Sequence, residues 1–153
     1  MNHETIKAIL SALESEPTKW QIIIYLALQT DLRCGELTGL CWDCVNTTEH
    51  TLHIKRSLRY SPKSGPVFGP LKYGERAIRH ITIPPSLSEM LDVWRQEQQE
   101  LFPQNPHGLC FTTDDGKPLT VQHINMWLGA FCRRHNLPTV RYHQLTRMAM
   151  PCI

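Results

Sequence analysis

The apolar run WQIIIYLAL, residues 20–28, sets the tightest limit on how this chain folds. Its side chains leave no polar face, so a helix over TKWQIIIYLALQT must be buried on all sides. A chain of 153 residues can build a core around one such helix and leaves little room for a second domain. The run is far shorter than the roughly 20 apolar residues that span a bilayer. We therefore expect one domain with this helix at its centre.

Apolar residues at helical spacing predict further helices on both sides of this run. NHETIKAILSAL is typical of a surface helix with one buried stripe, and Asn2 is its expected N-cap. Helices are also predicted over SLSEMLDVW, with a capping box that begins at Ser86, and over TVQHINMWLGAFCRRH, with Thr120 as its cap. CGELTGLCW and VRYHQLTRM predict two shorter helical pieces.

The middle of the chain has the pattern of strands. TLHIKRSLRYS and AIRHITIP alternate and are β-prone, whereas PKSGPVFGP between them is typical of turns. This pattern predicts a small three-stranded antiparallel sheet with a basic, partly exposed face. The expected fold class is therefore α+β and mainly α, with helices before and after the sheet.

Positive charge is concentrated in the same region. The formal net charge of the chain is only +2, yet residues 51–83 hold seven basic side chains against the single acid Glu75. Such a concentration favours a face that meets a polyanion, and the alternative is a sheet surface that is merely solvated.

A short segment, TDLRCGEL, follows the apolar run and places Arg33 three residues before Glu36. Alone, it would be a solvated turn between two helices. Together with GPLKYGERAIRHITIPP, the turn DDGKPLT and the late RYHQL, in this order and spacing, it resembles the catalytic domain of the tyrosine recombinases, the phage and transposon integrases. The resemblance extends from the first helix to Leu145, and it implies the fold of that catalytic domain.

The resemblance implies roles for three of these residues. Arg33 matches the arginine that clamps the scissile phosphate, and a guanidinium presents a planar fork of donors suited to two phosphate oxygens. Glu36 matches a glutamate that supports this region. His143 matches the histidine that contacts the phosphate and helps to manage the proton of the nucleophile, a role that suits a group titrating near neutral pH.

Lys72 matches the hairpin lysine that donates a proton to the departing 5′ oxygen in this family. An ammonium near the phosphate is a suitable general acid, because an alkoxide is a poor leaving group without a proton. The spacing to the following strand is slightly long, so Lys63 and Arg76 stay open as alternatives. We expect the DNA-binding residues to be Lys55, Arg56, Arg59, Arg76 and Arg79.

The sequence departs from the family pattern towards its end. Thr146 stands where the second phosphate-binding arginine belongs, and Arg147 is a supporting candidate because positions i+3 and i+4 share one side of a helix. None of the four tyrosines, at 25, 60, 73 and 142, matches the position of the nucleophile. We therefore expect residues 1–153 to be a partial catalytic domain, without the arm, core-binding and nucleophile segments. It should bind DNA weakly and should not cleave it alone.

The expected partner is double-stranded DNA, on which full-length members of the family assemble as homo-oligomers. The resemblance implies no cofactor and no metal, because the phosphotyrosine conserves the energy of the broken bond. MNHETIK lacks the apolar core of a signal peptide, so we expect a cytoplasmic protein with reduced thiols and no membrane segment. An alternative function is a non-catalytic DNA-binding or partner-binding module derived from an integrase.

A second alternative is a zinc site. Cys41 and Cys44 are followed by His50 and His53, and these four side chains have the chemistry of tetrahedral zinc ligands. The gap between the two pairs is much shorter than in the usual zinc finger, and Cys41 belongs to an apolar face. Buried thiols are therefore the favoured interpretation.

Overall fold

A computed structural model describes residues 3–61 and 63–148 of the chain. Its helices are α1 (His3–Leu13), α2 (Thr18–Gln29), α3 (Cys34–Thr38), α4 (Pro85–Leu101), α5 (Val121–Arg134) and α6 (Tyr142–Leu145). Its strands are β1 (Val45–Asn46), β2 (Thr51–Ile54), β3 (Ser57–Ser61), β4 (Gly65–Gly69) and β5 (Arg79–Thr82). The chain forms two compact units, of which the first combines Met1–Arg33 with Val121–Ile153 and the second is Cys34–Thr120.

In the first unit, α2 is buried over most of its surface, as its sequence predicts, but one stripe formed by Gln21, Tyr25 and Gln29 is only half-buried. The consecutive residues 22–24 have no exposed surface. Successive residues of a helix point about 100° apart, so three buried in a row cover most of the circumference of the helix. The surface helix α1 instead buries one stripe, formed by Ile6, Ile9 and Leu13. Its expected cap, Asn2, lies outside the described residues.

Aromatic stacking and an ion pair hold α5 in the first unit. The ring of Trp127 stacks on Trp20 of α2 with centroids 4.4 Å apart, and on Phe131 at 4.9 Å. Just after α1, the carboxylate of Glu16 accepts hydrogen bonds from Arg134 Nη2 at 2.8 Å and from His135 Nε2 at 2.9 Å. Burial alone would raise the pKa of Glu16, but the bonds from His135 and Arg134 outweigh it, and the pKa lies below its ordinary value.

The second unit contains the predicted three-stranded antiparallel sheet, in the order β1–β2–β5. TLHIKRSLRYS does not form one strand, because β2 ends at Ile54 and β3 begins at Ser57. Strand β3 pairs instead with β4 in a separate antiparallel hairpin. The prediction that PKSGPVFGP is only a turn was therefore wrong. Its Gly and Pro are tolerated in β4 because the hairpin has only two strands, in which every strand is an edge.

Helix α3 and the residue that follows it pack closely on β3 through two glycines, Gly35 and Gly39. A Cβ atom added to Gly39 would lie 2.8 Å from the backbone nitrogen of Leu58, and one added to Gly35 would clash with Ser57 Oγ. Both added atoms would lie closer to their neighbours than van der Waals contact allows. A side chain at either position would therefore push α3 away from the strand.

Helix α4 begins one residue earlier than the sequence suggests. Its first residue is Pro85, Pro84 occupies the N-cap, and no side chain caps the helix. The capping box predicted at Ser86 was therefore wrong. Proline is favoured in the first turn because its missing N–H would have no helical partner there. Helix α5 begins at Val121, directly after Thr120, as predicted.

A buried glutamine ties α4 to the segments around it in the second unit. Gln98 Oε1 accepts a hydrogen bond from Trp42 Nε1 at 2.8 Å, and Gln98 Nε2 lies 3.0 to 3.2 Å from three acceptors: Leu109 O, Cys110 O and Thr112 Oγ1. Only 2% of Gln98 is exposed. Its amide therefore satisfies polar groups that would otherwise be buried without partners.

Candidate functional site

Arg33 lies in a turn that Thr30 ties to the end of α2. The Thr30 hydroxyl donates to Leu26 O at 2.6 Å, and the same oxygen accepts from Leu32 N at 3.3 Å. Leu32 is completely buried, whereas Arg33 is exposed. These two bonds therefore fix the turn to the end of α2, while the guanidinium of Arg33 stays at the surface.

His143 lies in α6 and is also exposed, next to the buried Tyr142. The Tyr142 hydroxyl donates a hydrogen bond to Leu32 O at 2.9 Å. Leu32 directly precedes Arg33, and Tyr142 directly precedes His143. One buried bond thus joins the two segments that carry the first arginine and the histidine expected at the site.

The end of α6 carries the two residues at which the family pattern breaks. Thr146 directs its hydroxyl to His143 O at 2.9 Å, so it closes the short helix. Arg147 follows in the next turn and is exposed. Its expected contact with a phosphate stays a prediction.

In the second unit, Glu36 pairs with Arg79, 43 residues further along the chain. Arg79 Nη2 lies 2.9 Å from Glu36 Oε1, and Arg79 Nη1 lies 3.1 Å from Oε2. Glu36 is only 3% exposed. Arg79 Nη1 also donates to Ala77 O at 2.8 Å. Both terminal nitrogens of Arg79, an expected DNA-binding residue, thus already serve groups within the protein.

Arg56, another expected DNA-binding residue, is also engaged within the second unit. Its guanidinium carbon lies 5.8 Å from the ring centroid of Phe68. Arg56 Nη1 donates to Cys41 Sγ at 3.5 Å, and Nη2 lies 3.8 Å from the carboxylate of Asp43. Because its side chain is 31% exposed, Arg56 can present only part of its guanidinium to a partner.

The remaining basic residues of this region are exposed: Lys55, Arg59, Lys63, Lys72 and Arg76. Lys72 lies between β4 and a 3₁₀ turn at Gly74–Ala77, and its ammonium is 5.7 Å from the ring centroid of Tyr73. The exposed ammonium is compatible with the expected role of Lys72, which stays a prediction.

Three of the four candidate zinc ligands engage other groups. Cys41 Sγ accepts the bond from Arg56, His50 Nδ1 hydrogen-bonds with Ser88 Oγ at 2.8 Å, and the ring of His53 stacks on His80 with centroids 4.3 Å apart. Across residues 3–61 and 63–148, no three His, Cys, Asp or Glu side chains lie together as metal ligands.

Burial keeps the cysteine nearest to Arg33 protonated. The pKa of Cys34 is raised to about 12 by burial, so its thiol does not ionise near neutral pH. A thiolate nucleophile beside Arg33 is therefore not available. Within the same described ranges, no helix has the length and apolar character to cross a bilayer.

The family model for the phage integrase family matches residues 1–149 of the chain. This chain belongs to the phage integrase family. The resemblance to tyrosine recombinases, predicted from four motifs, is thereby confirmed.

Two relatives of this integrase-family chain match most of its length. The ICEBs1 integrase of Bacillus subtilis is 22% identical over 144 residues, which cover 92% of this chain and 39% of that protein. A tyrosine recombinase XerC-like protein of Caldanaerobacter subterraneus is 25% identical over 157 residues, which cover 93% of this chain and 40% of that protein. The chain thus spans about two fifths of the length of these relatives.

The fold of this integrase-family chain is similar to that of the Tn1549 transposon integrase, solved in complex with transposon right end DNA. The TM-score is 0.82 at 18% sequence identity, and the match covers 95% of this chain and 50% of that chain. This likeness confirms the predicted α+β fold with a small antiparallel sheet.

Two residues that organise the site were not singled out from the sequence. Tyr142 was considered only as a tyrosine that does not match the position of the nucleophile, although its place beside His143 was a signal that it fixes that histidine. Asn125 accepts a bond from Tyr142 N at 2.9 Å, and nothing in the pattern of α5 indicated this contact.

Proposed function

We propose that this chain binds duplex DNA and that Arg33 and His143 contact one backbone phosphate. The observation that carries the proposal is the Tyr142–Leu32 hydrogen bond, which ties together the segments that present these two exposed side chains. A guanidinium and an imidazole both provide donors for the oxygens of a phosphate. In the full-length protein, the site serves DNA integration and recombination in the cytoplasm.

Lys72 is the proposed general acid of that reaction, and Glu36 and Arg147 are supporting residues. The exposed position of Lys72 supports this role, and Lys63 and Arg76 are the alternatives. Lys55, Arg59 and Arg76 supply further backbone contacts, while Arg56 and Arg79 contribute less because they pair within the protein. Full-length copies assemble on DNA as homo-oligomers.

Residues 1–153 should bind DNA without breaking it, which would make the chain a non-catalytic module when alone. Two observations support this second function. Thr146 uses its hydroxyl to close α6, so it offers no substitute for a guanidinium. The Tyr142 hydroxyl, the tyrosine oxygen nearest in sequence to His143, is buried and bonded to Leu32 O. Incubation with a nicked suicide duplex should leave no protein–DNA adduct that survives denaturing electrophoresis, and such an adduct would refute this part of the proposal.

Equilibrium binding to a fluorescent duplex tests the phosphate contact. Arg33→Ala should weaken binding about 10-fold or more, because hydrogen bonds to charged groups contribute about 1.5–3 kcal/mol. Arg33→Lys keeps the charge but loses the planar fork, so it should recover only part of the affinity. The slope of log affinity against log salt should fall by about one for each phosphate contact removed.

Lys7→Ala is the matched control, because Lys7 is an exposed cation of α1 in the same unit. It removes the same formal charge from a helix that carries none of the proposed site. If Arg33→Ala weakens binding no more than Lys7→Ala does, the proposed contact is wrong.

A further inference from the structure

The buried bond from Tyr142 to Leu32 depends on one hydroxyl group. Tyr142 is 2% exposed and Leu32 is fully buried, so water does not compete for the Leu32 carbonyl. A phenylalanine would fill nearly the same volume without donating a hydrogen bond. The hydrogen bond therefore fixes the position of the Tyr142 ring relative to Leu32 more closely than packing alone would.

Helix α6 depends on such contacts because it is very short. It has four residues, Tyr142–Leu145, and one turn of helix gains little stability from its own hydrogen bonds. Two bonds from Tyr142 hold its first turn: the hydroxyl to Leu32 O, and the backbone N–H to Asn125 Oδ1 of α5 at 2.9 Å. The orientation of His143 is thus set by α5 and by the turn after α2.

The turn that receives the hydroxyl is itself bonded to α2. Leu32 N donates to Thr30 Oγ1, which in turn donates to Leu26 O. A continuous series of hydrogen bonds therefore runs from α2, through the turn that carries Arg33, to the helix that carries His143. Each bond lies within the first unit.

We infer that Tyr142 is a positioning residue, whose hydroxyl sets the separation of Arg33 and His143 so that both reach one phosphate. Tyr142 does not touch DNA and acts only through the two residues that do. Groups that share one small ligand must be held to within a fraction of an ångström, so the loss of this bond misplaces one of them. The inference rests on the proposed phosphate contact.

A double-mutant cycle distinguishes this role from a purely structural one. Tyr142→Phe should weaken duplex binding by about 3- to 10-fold in the wild-type background. In the Arg33→Ala background it should weaken binding by less than about 2-fold, because the effects of substitutions at coupled residues do not add. Tyr25→Phe removes a hydroxyl from α2 in the same unit and should change affinity less than about 2-fold in both backgrounds, as expected for an independent site.

The binding is measured well below the melting temperature of each variant, so that the folded fraction is the same. Asn125→Ala, which removes the acceptor for Tyr142 N, provides a second cycle if Tyr142→Phe does not fold. It should show the same loss of coupling in the Arg33→Ala background. Equal losses in both backgrounds, or no loss in either, would overturn the positioning role.

The same experiment separates the two proposals. If Arg33→Ala weakens binding and the effect of Tyr142→Phe persists unchanged in that background, the positioning role fails and the phosphate contact stands. If Arg33→Ala has no more effect than Lys7→Ala, the phosphate contact fails, and the positioning role fails with it.

Discussion

The guanidinium of Arg79 binds both carboxylate oxygens of Glu36, with N–O distances of 2.9 and 3.1 Å. The pair joins α3 to β5 within the second unit. Because Glu36 is only 3% exposed, its negative charge has little access to water and depends on this partner. Arg79 therefore stabilises the helix that directly follows Arg33 in the chain.

Removal of Arg79 should destabilise the protein. Arg79→Ala takes the guanidinium away from the buried carboxylate of Glu36. The free energy of unfolding should therefore fall by about 3 kcal/mol. This value is the lower end of the range for breaking a buried ion pair, because Arg79 is partly exposed. Urea denaturation measures the change. Arg76→Ala, at an exposed position three residues earlier, should stay within about 0.5 kcal/mol of wild type. Equal effects would show that the pair contributes little.

Gln98 should be among the least replaceable polar residues of the second unit. Gln98→Leu is similar in size but leaves the indole N–H of Trp42 and the carbonyls of Leu109 and Cys110 with fewer partners. The free energy of unfolding should fall by about 2–4 kcal/mol, since each buried group left without a bond costs about 1–3 kcal/mol. The exposed neighbour Gln99→Leu is the control and should be nearly neutral. A neutral Gln98→Leu would contradict the importance of this network.

Two glycines should respond to alanine in opposite directions. Gly39→Ala places a Cβ atom 2.8 Å from Leu58 N, so it should destabilise the protein by about 1–3 kcal/mol. In α5, a Cβ at Gly129 would lie 3.5 Å from Arg133 Nη1, a contact that a flexible side chain accommodates. Gly129→Ala should therefore stabilise the protein by up to about 1 kcal/mol through helix propensity. Thermal melting of both variants checks the signs, and a destabilising Gly129→Ala would be unexpected.

The contacts of Glu16 should make stability depend on acidic pH. The pKa of Glu16 in the folded protein lies below the ordinary value of 4.5, so its pairing with Arg134 and His135 is fully present above that value. Its contribution is lost as the pH falls below 4.5 and through the lower pKa of the folded protein. Stability measured against pH should therefore decline less steeply in this window for Glu16→Gln than for wild type. An unchanged slope would show that Glu16 titrates normally.

Local patterns were sufficient to locate the longer helices α1, α2, α4 and α5 and to identify the family. The apolar run of α2 has no polar face, and burial is its only stable environment. The segment around Arg33 carries a functional motif within a few residues, which can be read without knowledge of the fold. The position of β4 was missed because its glycine and proline residues favour turns, while its pairing with β3 is a contact between segments.

The partners of the basic residues could not be read from charge alone. Arg79 and Arg59 look equivalent in the sequence, yet Arg79 pairs with Glu36 from a distant segment and Arg59 is exposed. The role of Tyr142 was hidden for the same reason, because its acceptor, Leu32 O, is a backbone atom 110 residues away. Such pairings depend on tertiary structure and leave no periodic signal.

The most direct test is a nuclear magnetic resonance titration of the chain with duplex DNA, with arginine Nε and histidine Cε1 isotopically labelled. Arg33→Lys and His143→Asn variants assign the two signals. We predict that the Arg33 and His143 signals shift together, with one dissociation constant, and that Arg33→Lys reduces the shift of His143. If DNA shifts the signals of exposed arginines such as Arg59 while those of Arg33 and His143 stay unchanged, the two residues do not hold a phosphate.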